Sequence, residues 1–373
     1  MDFNLSEERQ MLQDGLRRML VDKVDTKAIA RGDTAWSAET WQALTEMGVI
    51  GALFTEEQGG FGGAGFDLMV VFEEMGRAGA PEPLLETLLA GRLIAELGSA
   101  TQIEQLDEVI AGEVQMAFAH SEPGSRYDLE RVATNAARDG DDWVLTGRKS
   151  VVTNGGEADQ IVLSARVSGA VSDREGLALF LVPKGTEGLE IRDYPLTGGG
   201  RGAELAMEEM RLPGDALLGE AGDALPAIER TVARGSAAQC AEALGLMERI
   251  RDLTVTYLQQ RTQFGQPLIK FQALAFRMAD VLIEIEQARS AVINLCGHLD
   301  ADPTTRELHV SAAKQLVGAT AKLVVEESIQ MHGGIGITQE YDLAHFARRL
   351  TMVEHRFGDA LWHLGRFARL RAA

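Results

Sequence analysis

Cysteine is scarce in this chain, two among 373 residues (Cys240 and Cys296). Two cysteines cannot build a disulfide framework, and both lie in apolar helical patterns, so free buried thiols are expected. The seven histidines are scattered without metal-ligand spacing, so no metal site is expected. Positive charge is also short. Lys and Arg number 36 against 56 Asp and Glu, a formal net charge of −20. That balance argues against nucleic acid and anionic membranes as partners, because both need basic surfaces. No apolar run reaches the roughly 18 residues of a membrane helix. The opening residues, Met1-Asp2-Phe3-Asn4-Leu5, lack the charged and apolar regions of a signal peptide. A cytoplasmic location is the expectation. What remains, 45% hydrophobic and 25% charged, is an ordinary globular composition, long enough for two or three domains.

The patterns change twice along the chain. Residues 1–115 read as helices. Ser6 is a candidate N-cap with Glu7 and Glu8 behind it, Ser37 is a second, and a helical pattern covers Leu84–Leu97. After Val114, short runs of strand character follow one another, among them Val132–Ala137, Trp143–Thr146, Gln160–Val167, Leu177–Val182 and Glu204–Arg211. Asp139-Gly140, Asn154-Gly155-Gly156 and Gly198-Gly199-Gly200 punctuate them, which suggests a small barrel or sandwich over 116–219. From Gly222 the pattern is helical again. A long helix is expected over Leu225–Gln260, then Phe271–His298, then one from the Asp302-Pro303 cap to Met331, and a shorter one over Asp359–Arg371. Four helices with short links imply a bundle over 222–373. The fold class expected is α+β: a helical domain, a β-barrel and a four-helix bundle, with no Rossmann alternation.

The last long helix breaks into Gly333, Gly334 and Gly336, and a second amphipathic pattern then ends near Glu354. Glycines let backbone N–H groups approach a phosphate, and they also simply cap helices; both readings stand.

Four stretches, in this order, resemble the acyl-CoA dehydrogenase family of flavoproteins over essentially the whole chain. They are Ala119-His120-Ser121-Glu122-Pro123-Gly124, Val151-Val152-Thr153-Asn154-Gly155-Gly156, Arg261-Thr262-Gln263-Phe264-Gly265 with Gln272, and Gln330-Met331-His332-Gly333-Gly334. Ser125–Leu129 and Leu350–Met352 followed by Phe357–Asp359 resemble, more narrowly, the small-subunit type of pimeloyl-CoA dehydrogenases. The resemblance implies FAD as cofactor. Phe118, His120, Ser121, Val151 and Thr153 would meet the flavin, and Arg261, Phe264, Gln272, Gln330, Gly333 and Gly334 would reach the cofactor half of a neighbouring subunit. Arg suits a pyrophosphate through its planar fork.

The family reaction removes the α-proton of an acyl-CoA to a carboxylate and the β-hydrogen as hydride to the flavin. Alignment puts Glu354 on the base. Val353, His355 and Arg356 depart from the family's residues around it, and Val151 stands where the family has Trp. Ser125, Arg126 and Arg234 are the substrate-side candidates. The partners implied are an acyl-CoA, a homo- or hetero-tetramer with a paralogous chain, and electron-transfer flavoprotein. Two other readings remain: a catalytically silent FAD-supporting subunit, and a flavin oxidase or monooxygenase on the same fold.

Overall fold

A computed structural model describes residues 5–31 and 35–372. Seven helices come first: α1 (Glu7–Lys23), α2 (Thr26–Arg31), α3 (Ala38–Glu46), α4 (Gly65–Ala78), α5 (Leu84–Leu97), α6 (Ala100–Glu104) and α7 (Leu106–Ile110). Ser6 and Ser37 cap α1 and α3, their side chains accepting from the Arg9 and Thr40 N–H groups.

Strands β1 (Met116–Ala119), β2 (Asn135–Asp139), β3 (Asp142–Thr153), β4 (Gln160–Arg166), β5 (Leu177–Pro183), β6 (Leu189–Pro195), β7 (Arg201–Leu212) and β8 (Leu217–Gly222) form one sheet. Its order is β6-β7-β3-β2-β4-β5-β8, with β1 parallel to β4. The hairpin between β2 and β3 turns at Gly140, where φ is 66°. Alternation sorts the residues of β5 between two cores. Leu177, Leu179 and Leu181 face the helices, while Ala178, Phe180 and Val182 fill an interior shared with Trp143, Leu145 and Met207. The strand expected over 143–146 runs on to Thr153 because its partner β7 is equally long, pairing from Leu212 back to Gly202.

The rest of the chain is helical: α8 (Leu225–Gln260), α9 (Gln272–Gly297), α10 (Pro303–His332), α11 (Leu343–Glu354) and α12 (Ala360–Ala372), with a hairpin of β9 (Thr262–Gln263) and β10 (Gln266–Pro267) between α8 and α9. The four expected helices are present as α8, α9, α10 and α12, and the amphipathic pattern ending at Glu354 forms α11 beside them. That helix buries Leu343, Phe346, Ala347, Leu350 and Val353, the spacing of one helical stripe.

Backbone contact fixes α4 against α8. A Cβ at Gly76 would strike the Glu242 carbonyl oxygen, and one at Gly245 would strike that of Glu73. Charges cluster around this crossing. Arg17 of α1 binds Glu74 at 2.6 Å, Arg289 of α9 binds Glu73 at 3.2 Å, and Arg77 and Arg289 both reach Glu248. Gly245→Ala gains about 1 kcal/mol of helix propensity but forces two backbones apart. A net loss of about 1–3 kcal/mol or more is expected in urea unfolding.

Candidate active site

A cavity of about 1010 Å³ opens where the helical domain, the sheet and the C-terminal helices meet. Phe118, His120, Ser121, Val151 and Thr153 all line it from the sheet side. A bulge brings the last two there. Lys149 pairs with Leu205 but Val152 with Ala203, one extra residue on β3. Val151 takes φ 52° and stands 57% exposed, its N–H donating to Glu204. Among the described residues, neither the Ser121 nor the Thr153 hydroxyl has a hydrogen-bond partner, although the Ser121 carbonyl accepts from the Ser150 N–H at 2.9 Å. These are free donors and acceptors of the kind a flavin edge takes.

Below this turn lies a buried polar cluster that sequence reasoning missed. The Lys149 ammonium, 0% exposed, donates to Glu122 Oε1 at 2.7 Å, Ser164 Oγ at 3.0 Å and the His120 carbonyl at 3.3 Å. Burial lowers its pKa to about 8. Burial opposes the charge on Glu122, but Lys149 and hydrogen bonds from Thr134 and Ala133 outweigh it and hold the carboxyl below its usual value. His120 stacks on Phe118 with centroids 5.8 Å apart, and burial, then Lys149, push its pKa down to about 3. A signal existed: Trp143, Leu145 and Lys149 share one face of β3 by simple alternation.

The helical side of the cavity offers Phe72, Met75, Leu85, Val232, Ala233 and Ser236. The small residue Gly235 does not leave room. The Phe357 ring lies 2.8 Å from where a Gly235 side chain would begin. Phe357 itself has φ 59°, and the Arg356 guanidinium sits 4.8 Å over its ring. Arg356 also pairs with Glu86 of α5 at 2.6 Å, another pair with no sequence signal, since 270 residues separate them.

Glu354 is not among the cavity-lining residues. Its side chain turns from the cleft toward α10. Its Cγ lies 3.1 Å from where a Gly318 Cβ would begin, and Oε1 accepts the Ala360 N–H at 3.3 Å, capping α12. The turn after it is pinned from below. Lys314 donates to the carbonyls of Glu354 at 3.3 Å and Arg356 at 2.7 Å, and His363 Nε2 to that of Phe357 at 2.9 Å. Burial, then Lys314, lowers the His363 pKa to about 3.

The substrate-side candidates divide. Arg126 lines the cavity with φ 48°. The Ser125 hydroxyl is spent inside its own turn on Glu122, donating to the carbonyl at 2.9 Å and accepting from the N–H at 3.1 Å. Arg234 is outside the lining and is held by Asp300 at 2.6 Å, so it points elsewhere. Arg261, Phe264, Gln272, Gln330, Gly333 and Gly334 are also outside it. They are all exposed, Phe264 by 92%, on the β9–β10 hairpin and the adjoining ends of α8, α9 and α10.

Three family models cover the chain: acyl-CoA dehydrogenase N-terminal domain over residues 6–113, middle domain over 117–212 and C-terminal domain over 224–365. The chain belongs to the acyl-CoA dehydrogenase family. A short-chain-specific acyl-CoA dehydrogenase of Clostridium acetobutylicum is 30% identical over 362 residues, 95% of each chain. Butyryl-CoA dehydrogenase from Megasphaera elsdenii superposes with a TM-score of 0.92 at 28% identity, covering 100% of both chains. A structure described as the electron transferring flavoprotein of Acidaminococcus fermentans gives 0.90 at 28% identity, covering 99% of both. This acyl-CoA dehydrogenase is thus an oxidoreductase of its family's kind, and among its described residues no helix is long and apolar enough to cross a membrane.

Two outcomes follow from the side chains beside the cleft. Glu354→Ala removes one hydrogen bond to the Ala360 N–H, while Asp359 still caps α12 on the Trp362 N–H, and is expected to cost about 1 kcal/mol in thermal unfolding without altering flavin content. Unfolded histidine takes up its proton near pH 6.5, but buried His120 and His363 only near 3. Stability is therefore intact above pH 6.5 and drains as the pH falls toward 3. The fall with acid, followed by chemical denaturation, should be shallower in His363→Gln.

Proposed function

We propose that this chain carries out FAD-dependent α,β-dehydrogenation of an acyl-CoA thioester in the cleft between its helical domain, sheet and C-terminal helices. The observation that carries the reading is the pair of unpartnered hydroxyls, Ser121 and Thr153, facing one cavity across which Phe72, Met75, Leu85, Val232 and Ala233 stand. FAD fits this donor set, with Ser121 and Thr153 at the ring edge and Phe118 and His120 beneath the turn. FAD, when bound, would supply the acceptor for the β-hydrogen and its electron pair. The chain's own residues do the rest. Phe72, Met75, Leu85, Val232 and Ala233 would exclude water from the acyl group, and desolvation strengthens the interactions that orient the thioester. A carboxylate must take the α-proton.

The six exposed residues from Arg261 to Gly334 favour a site shared between subunits, because they are remote from the chain's own cleft and would serve a neighbour's cofactor. A homotetramer and a heterotetramer with a paralogous chain, of the pimeloyl-CoA dehydrogenase kind, both meet this need. A second reading, a supporting subunit whose partner supplies the base, is favoured by the turned-away carboxylate of Glu354. Electron-transfer flavoprotein is the acceptor this reading implies in either case, although Val151, where the family has an aromatic to meet the acceptor, argues against direct contact at that point.

Anaerobic titration with acyl-CoAs of graded length tests the reading. Loss of the visible flavin absorbance, with product detected by mass spectrometry, is the expected result; an unchanged spectrum across the series would sink it. Removing the Ser121 or Thr153 hydroxyl should weaken FAD binding severalfold, up to about tenfold each, the value of one hydrogen bond. Native mass of the assembly, alone and with a co-expressed paralogue, separates the two subunit readings.

A further inference from the structure

The bulge on β3 decides which side chains of that strand meet the cleft. Before it, odd-numbered residues face the interior of the sheet: Trp143 and Leu145 lie in the core there, with Lys149 buried on the same face. After it, Val152 belongs to that interior, while Ser150, Val151 and Thr153 line the cavity. Side chains alternate along a strand with a period of two. An unbulged β3 would therefore carry Thr153 to the interior and Val152 to the cleft. The extra residue is what turns the Thr153 hydroxyl outward. Resting on the dehydrogenase reading above, we propose that Glu204 of β7, locked by Tyr194 of β6, is the positioning residue that holds this bulge and so presents Thr153 to the flavin.

Register puts Glu204 opposite the extra residue. Lys149 pairs with Leu205 and Val152 with Ala203, so Ser150 and Val151 share Glu204 as their counterpart. A bulge disrupts the ladder locally, and its N–H groups need other acceptors. Both are filled here. The Ser150 N–H donates to the Ser121 carbonyl at 2.9 Å, and the Val151 N–H to Glu204 Oε1 at 3.2 Å. The bulge is thus tied on one side to the turn that carries Ser121 and on the other to Glu204.

The neighbouring strand fixes the carboxylate. Ala203, Leu205 and Met207 fill the interior, so Glu204 projects from the opposite face of β7. Tyr194 pairs with Gly202, two residues from Glu204, which sets the two side chains on a diagonal of that face. The Tyr194 phenol donates to the same Oε1 at 2.8 Å. Burial, then Glu204, push this phenol up to about 12, so it stays a donor at neutral pH. The backbone shows why a clamp is needed. Val151 is β-branched and takes φ 52°, a conformation such residues keep only where their surroundings hold them.

FAD affinity in a double-mutant cycle tests the assignment. The dissociation constant is read from flavin fluorescence on dilution of the flavin-loaded protein. Glu204→Ala is expected to weaken FAD binding severalfold, up to about tenfold, the value of the one hydrogen bond it misdirects. In a Thr153→Val background the same change is expected to cost nothing further, because the hydroxyl it positions is gone. Glu204→Gln keeps an amide oxygen for the Val151 N–H and the Tyr194 phenol, and is expected to restore parent affinity. Parent affinity in Glu204→Ala, a loss that adds in full to that of Thr153→Val, or a loss in Glu204→Gln equal to that in Glu204→Ala overturns the proposal. FAD that fails to bind the parent protein strikes the dehydrogenase reading and the proposal together, which separates the two failures. Should Glu204→Ala fold poorly, Tyr194→Phe takes its place in the cycle. A smaller loss that vanishes beside Thr153→Val is expected there, and no loss, or an additive one, overturns the assignment.

Discussion

The contact of bare backbone between α4 and α8 governs this molecule. Gly76 and Gly245 each meet a carbonyl of the other helix, so the pair can approach only because both positions lack a side chain. Everything that lines the helical wall of the cleft depends on that spacing. Phe72 and Met75 come from α4, Val232 and Ala233 from α8, and α5 follows directly from α4. The acidic groups beside the crossing, Glu73, Glu74 and Glu248, are buried and would be unfavourable alone. Arg17, Arg77 and Arg289 arrive from three helices to neutralise them. The packing and the charge cluster thus specify the same arrangement.

The sheet side is organised by another buried charge. Lys149 gathers His120, Glu122 and Ser164 under the turn that carries Ser121. A lysine shielded from water must have its donors filled, and here three oxygens fill them. The turn is consequently held by an ammonium rather than by its own short loop, and the neighbouring bulge on β3 sets Val151 and Thr153 beside it.

Much of the fold was legible in the sequence for reasons that are local. Ser6 and Ser37 cap helices because their side chains sit one turn before the first free N–H groups. The long run from Leu225 to Gln260 is a single helix in which no proline occurs beyond the first turn, and its interior glycines, Gly235 and Gly245, sit where neighbours pack against them. Asp139-Gly140 turns a hairpin because glycine accepts φ 66°. The residues of the Ser121 turn and of the β3 end were also legible, and they share a cavity. Long-range pairing was not. Nothing in the sequence joins Glu86 to Arg356, or tells that the Glu354 side chain bends back to cap α12. Alignment located Glu354 in the chain but not the direction of its carboxylate, which accepts the Ala360 N–H at the start of α12. Arg234 illustrates the same limit: its neighbours in sequence point at the cleft, and Asp300 draws its guanidinium away.

The helix α8 also sets a phase. Its 36 residues span about 54 Å at about 1.5 Å each, with Val232 and Ser236 facing the cleft near one end and Arg261 leaving at the other. The rod is one continuous helix, so the angular relation between these ends is a property of residue count alone. One residue inserted after Gly245 would turn the β9–β10 hairpin by about 100° relative to the cleft. A whole turn inserted would nearly restore the angle while displacing the hairpin by about 5.4 Å. Length variation in this helix is therefore constrained in a periodic way, tolerable near multiples of a turn and disruptive between them.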